Sequence, residues 1–287
     1  TLLLYRKFKV DNHRGTNEII RNLKNKDRIN AIIAPLVFVS TAITQLFGGS
    51  AGKEGAALQL GGAGSSAISD ALKLKGEQRT IFIMSGMSAT FASVFGTPLT
   101  AAFFVLEFKS SKIIFSLALI PCFISAMVAK KCASLLNVAE EAIHLNRLIT
   151  FSISTVWKIF VLAIGLSLLS TVMCFAFEKV QIWIKKFIPN SFIRTFIFAL
   201  TVVILTACIG DMRYNGSGLN MAINAISGSA KWYDFILKLV FTTITLAAGL
   251  KGGEIVPTFC IGATFGCFFG GLLGLDSGLA AALGIDR

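Results

Sequence analysis

The sequence predicts an all-α, polytopic membrane protein, and three observations carry that prediction. The 287 residues are 54% hydrophobic and 15% charged, with a mean hydropathy of +0.74. A soluble domain carries about 25% charge and about 45–50% apolar residues. Apolar runs long enough to approach a bilayer crossing recur along the chain, and no segment alternates as the strands of a membrane barrel do. The 25 phenylalanines suit both lipid-facing and bundle-facing positions.

The elements follow in order. Residues 1–30 are polar and basic, with a short amphipathic helix over NEIIRNL (17–23) that sets Ile20 and Leu23 on one side. The stretch 31–48 is a largely apolar run of 18 residues, just enough to span a hydrocarbon core of about 30 Å. A small-residue helix runs from Ala56 to Leu72. Residues 81–107 read as a helix to Phe95, a break at Gly96, and a second helix from Pro98. Proline at a first helical position costs nothing, because that N–H has no intrahelical partner. Further apolar runs cover 112–129, 151–177, 192–210, 235–250 and 257–275. The run 151–177 is too long to cross without tilting or protruding, and Lys158 near its start suits an interfacial position. Two polar patches, EEAIHLNR (140–147) and GDMRYNGSG (210–218), divide the later runs. Two parts are expected, 1–150 and 151–287.

The net charge of +12 would suggest nucleic acid in a soluble protein. Here the basic residues gather between apolar runs, in RNLKNKDR (21–28), KLK (73–75) and the pairs at 130–131 and 185–186. That pattern orients a membrane protein and secondarily attracts anions, so nucleic acid is not an expected partner. The six cysteines are scattered through apolar runs and the only histidines are His13 and His144. Neither a disulfide framework, a metal site nor a cofactor is expected. An enzyme is disfavoured too: GGSAGKEG lacks the hydroxyl residue that a phosphate loop needs after its lysine. The chain does not start with Met and stops within an apolar stretch, so it reads as part of a longer protein.

Short helices interrupted by Gly or Pro are tolerated at membrane depth where the broken backbone lines a cavity, and paired interruptions in two halves point to a transport site. The chain shows such a pair. GTNEII (15–20) resembles GLNMAI (218–223), and each leads to a glycine pair, Gly48-Gly49 or Gly252-Gly253, followed by a glutamate, Glu54 or Glu254. In FGGSAGKEGAALQLGG (47–62), the glycines Gly52 and Gly55 around Lys53 and Glu54 allow close backbone approach. A helix starting there aims its open N–H groups and its positive end at an anion without fixed positive charge. A carboxylate in that position competes with the anion when charged, and takes a proton when desolvated. The same reasoning covers Glu254, Ile255 and Val256 in KGGEIVPTF, where Pro257 can start the helix. A plain loop ion pair at Lys53–Glu54, and neutralisation of Lys251 by Glu254, are the structural alternatives. Glu107 closes GTPLTAAFFVLE (96–107) and, from the residues alone, reads first as an interfacial acid. Arg213 and Tyr214 suit the interface, with pore lining the alternative for GDMRYNGSGLN (210–220), and Arg14 and Thr16 suit a vestibule.

Together GKEGAALQLGG, GMSATFASVFGTPLTAAFFVLE and GGEIVPTFCIGATFG resemble, in order and spacing, the CLC family of chloride channels and proton-coupled anion exchangers. The resemblance implies tilted, broken helices in two inverted halves, incomplete here at both ends, and a homodimer with one pore per subunit. It places the gating and proton-transferring glutamate at Glu54. The anion pathway then passes Gly52, Lys53, Gly55, Ala56, Glu254, Ile255 and Val256, with Glu107 and Thr16 secondary. Departures are visible. Arg14 stands where chloride-handling members have a coordinating serine, Ala56 replaces a proline, and Phe108 stands where many exchangers carry an inner acid. Glu254 resembles the fluoride-exporting branch, although Val256 replaces that branch's usual threonine. The function so implied is passage of chloride or fluoride across the plasma membrane, coupled to protons. The alternatives are an uncoupled voltage-gated channel and a truncated, nonconducting relative.

Overall fold

The structure, a computed structural model, describes residues 2–8, 10, 15–25, 29–108, 112–138 and 153–285. They fall into two compact units. One comprises Thr1–Thr41 and Lys53–Ala142, the other Ala42–Gly52 and Ile143–Arg287.

The first unit holds α1 (Leu2–Lys7), α2 (Thr16–Asn25), the start of α3 (Ile33–Leu46), α4 (Glu54–Ala71), α5 (Gly76–Phe95), α6 (Pro98–Leu106) and α7 (Lys112–Leu135). α5 stops where the sequence predicts. Gly96 takes a left-handed φ of 69° and Pro98 opens α6. The carbonyl of Gly96 accepts from Lys130 Nζ at 2.7 Å, a cation on a helix C-terminus as the dipole favours. Small residues let α4 and α5 approach: a Cβ on Gly86 would collide with Ser65 and the Gly61 carbonyl. Arg79 closes the α4–α5 turn, donating to Asp70 at 3.1 Å and to Ser66 at 2.8 Å. Across α5 and α7, Ser88 donates to the Cys122 carbonyl at 3.1 Å and Ser125 to the Ser85 carbonyl at 2.8 Å. Hydroxyls of this kind hold helices together where lipid supplies no hydrophobic drive. α7 also carries Pro121 in its interior.

The second unit holds α8 (Ile153–Phe175), a π-helical turn (Ala176–Val180), α9 (Gln181–Phe187), α10 (Ser191–Ile209), α11 (Leu219–Ile226), α12 (Asp234–Ala247), α13 (Ile255–Leu272) and α14 (Ser277–Ile285). Asn190 caps α10, its Oδ1 accepting from the amides of Phe192 and Ile193 at 3.0 and 3.4 Å. α13 is the centre of this unit: 56% of its span is buried, against 11% for α10. α10 therefore presents its apolar surface outward, whereas α13 is packed by protein. Gly262 lies against the backbone of Gly284, and Gly266 against that of Ala280, which brings α14 onto α13.

Four helical stretches are long and apolar enough to cross a membrane among the described residues: Ile114–Leu135, Thr155–Phe187, Ser191–Ile209 and Ile255–Leu272. The reading of 31–48 as a full span is corrected. α3 has 14 residues, about 21 Å at 1.5 Å per residue, because Gly48 turns left-handed at a φ of 76°. The run 151–177 does not end at its apolar limit; the π-helical turn carries it on to Phe187. α4 begins at Glu54 rather than Ala56, and α13 at Ile255 rather than Pro257. Tyr214 is not interfacial but fully buried. Arg14, His13 and the polar patch 140–147 lie outside the described residues.

The internal repeat is present in the backbone, in a shifted register. α3 and α12 have 14 residues each, and α4 and α13 have 18 each. The N-caps Lys53 and Glu254 have φ/ψ of −101°/−11° and −103°/−10°; the C-caps Leu72 and Leu273 have −79°/0° and −79°/−1°. Left-handed Gly48 and Lys73 are matched by Gly249 and Gly274. Equivalence therefore pairs Lys53 with Glu254 and Glu54 with Ile255. The glycine pairs do not correspond, and Glu254 is not the counterpart of Glu54, because the left-handed residues set the register.

Candidate functional site

Glu54 is the first residue of α4 and is completely buried, while its neighbour Lys53 is exposed. Gly55 and Ala56 behind it are buried too. The turn they form is held from α2. Thr16 donates to the Gly55 carbonyl at 3.3 Å, and Gln59 donates to that carbonyl at 3.0 Å and to Thr16 Oγ1 at 3.4 Å. Thr16, Gly55 and Gln59 thus form one cluster directly behind Glu54 in the first unit. The arrangement can set a carboxyl group, or an anion in its place, against the N–H groups of a helix start.

In the second unit, Gly52 and Gly253 form an isolated antiparallel bridge, with N–H···O distances of 2.8 and 2.7 Å. Glu254 follows directly as the N-cap of α13 and is exposed, whereas Val256 is buried. The Glu254 carbonyl accepts from the Thr258 amide at 2.9 Å and the Thr258 hydroxyl at 2.7 Å. Ile255 and Val256 supply the amides of this first turn; Pro257, three residues in, supplies none. Glu107 is the exposed C-cap of α6, and the contacts described around Thr16, Gly55 and Gln59 do not include it.

Residues 1–285, which include both helix starts, are matched by the family model described as "Voltage gated chloride channel". The chain belongs to the voltage-gated chloride channel family. Its fold is that of a solved CLC-type fluoride/proton antiporter, with a TM-score of 0.91 at 31% identity, covering 99% of this chain and 72% of that one. A slow cyanobacterial Cl-/H+ antiporter shares the fold at a TM-score of 0.75 and 20% identity, over 93% and 65% of the two chains. Among curated relatives, the "Chloride/fluoride channel protein" of Pseudomonas syringae pv. tomato is 31% identical over 94% of this chain and 61% of its own length. The "H(+)/Cl(-) exchange transporter ClcA" of Yersinia pestis bv. Antiqua is 22% identical over 83% of this chain and 52% of its own. The chain thus spans roughly half to three-fifths of these two relatives. It is an integral, multi-pass membrane protein of the CLC fold and not a catalytic enzyme.

This CLC-family chain also carries a polar hub that the apolar run 235–250 conceals. Asp234 and Lys238 are buried one helical turn apart on α12. Asp234 accepts from Tyr214 Oη at 2.7 Å and Arg213 Nη2 at 2.6 Å. Burial, followed by the bond to Asp234, pushes the Tyr214 phenol above its ordinary range, so it remains a neutral donor. Lys238 Nζ lies 2.8 Å from the Gly216 carbonyl and 3.0 Å from both the Tyr214 carbonyl and Ser50 Oγ. An ionisable residue inside an apolar run was the available signal.

Proposed function

We propose that the chain forms the pore-bearing part of a proton-coupled halide antiporter, moving chloride or fluoride across the plasma membrane as a homodimer. The observation that carries this reading is the burial of Glu54 at the first position of α4. A carboxyl group taken out of water favours its protonated form, while a helix N-terminus favours the anion. One side chain subject to both tendencies can occupy the halide's seat when charged and release that seat when it takes a proton. The positive pole there comes from backbone dipoles rather than a fixed charge, so a bound halide can leave again.

Fluoride is the halide favoured. Support comes from the 31% identity and 0.91 TM-score to a CLC-type fluoride/proton antiporter and from the carboxylate that Glu254 puts at the N-cap of α13. The test is side-by-side fluoride and chloride efflux from vesicles containing the full-length protein, with and without a pH gradient. Uphill fluoride movement driven by the gradient is expected. Halide flux that ignores the gradient would favour the uncoupled channel, and no flux of either ion a nonconducting relative.

A further inference from the structure

We propose that Lys238 is the positioning residue of the gate: its ammonium acts as a built-in cation that fixes segment 48–52, whose last residue leads through the chain into Lys53 and Glu54. The proposal rests on the reading of Glu54 given above, but the site lies wholly within the second unit. An ammonium group has three N–H donors and no acceptor. Lys238 Nζ has three oxygens at 2.8–3.0 Å: the carbonyls of Tyr214 and Gly216 and the hydroxyl of Ser50. Its side chain is completely buried. Gly218 makes room for it. A Cβ there would stand 2.7 Å from Lys238 Cε, and the φ of +85° suits glycine alone.

Ser50 is the middle of the segment and is held from every side. Its amide donates to Thr245 Oγ1 at 3.0 Å and its hydroxyl pairs with Thr242 Oγ1 at 3.0 Å. On one flank, Asn215 Nδ2 donates to the Gly48 carbonyl at 2.9 Å and the Gly216 amide to the Gly49 carbonyl at 3.1 Å. On the other, Gly52 makes its two bonds with Gly253. Lys238 joins both stretches through a single buried cation, Ser50 on one side and residues 214 and 216 on the other, alongside the direct bonds from Asn215 and Gly216. Without a cation at their centre, the two carbonyls and the hydroxyl turn oxygen toward oxygen, and buried acceptors lose their donor.

The test combines exchange, melting and transport in the full-length protein. In Lys238→Met, hydrogen–deuterium exchange of amides 48–52 should quicken at least about tenfold, while amides of α5 and α7 keep their rates. Proton-driven halide flux should fall about tenfold. In Lys238→Ala, added methylammonium should slow exchange at 48–52 again and restore the melting midpoint; in Lys238→Met, whose apolar chain fills the space, it should not. Unchanged exchange at 48–52 in Lys238→Met, or no effect of methylammonium on folded Lys238→Ala, would overturn the proposal. If Lys238→Met does not fold, Ser50→Ala removes one of the three oxygens and leaves the cation: faster exchange at 48–52 supports the proposal and unchanged exchange contradicts it. A wild-type protein that moves no halide would defeat the reading of Glu54, and with it the step from segment 48–52 to the gate. The anchoring role would still be decided by exchange and melting.

Discussion

Glu54 and Glu254 look alike in the sequence, each placed after glycines and before a helix, yet the structure gives them different stations. Glu54 is a buried first helical residue and Glu254 an exposed N-cap. Their substitutions should therefore read out differently. Glu254→Gln removes a negative charge at the start of α13 without touching the Glu54 turn. It is expected to shift the fluoride-to-chloride flux ratio while leaving proton coupling intact, and parallel flux assays with the two halides check this. Thr16 and Gln59 share the Gly55 carbonyl, so Gln59→Leu should cost about 0.5–1.5 kcal/mol of stability through the loss of one of that carbonyl's donors. Thermal melting of the purified protein measures it. At this scale the sequence exposed residues flanked by glycine, because an acid inside a small-residue turn is conspicuous. It hid Gln59, Ser50 and Lys238, whose importance comes from contacts far along the chain.

At the scale of elements, breaks were easier to place than lengths. The end of α5 at Gly96 and the start of α6 at Pro98 follow from local backbone chemistry, a left-handed glycine and a proline that needs no N–H. The length of α3 was not legible, because Leu46, Phe47 and the glycines after them remain apolar while the backbone has already turned at Gly48. The extension of α8 through the π-helical turn was hidden by Glu178 and Lys179, charges that looked like the end of an apolar run. The α13–α14 contact makes a specific demand. A Cβ at Gly262 falls on the Gly284 backbone, which has no flexible side chain to move aside. Gly262→Val is expected to destabilise by at least about 1–3 kcal/mol, seen as a lower melting midpoint. Gly64→Ala, where a Cβ meets nothing within 4 Å, should leave the midpoint nearly unchanged.

At the scale of the whole molecule, composition alone was enough for the membrane class, since 15% charge and 54% apolar residues leave too little polar surface for a water-soluble fold of this size. The duplication was also detectable, but its register was not. Sequence similarity aligned two glycine pairs, whereas the backbone aligns Gly48 with Gly249 and Lys53 with Glu254. Only φ angles distinguish a glycine that turns the chain from one that merely fits. The central claim is that one buried carboxyl group at the start of α4 both yields its place to a halide and carries a proton. Its most direct test is simultaneous recording of halide and proton movement in vesicles bearing Glu54→Gln. The account predicts that pH-driven proton movement falls to background while halide still crosses; coupled exchange at the wild-type rate and ratio would contradict it.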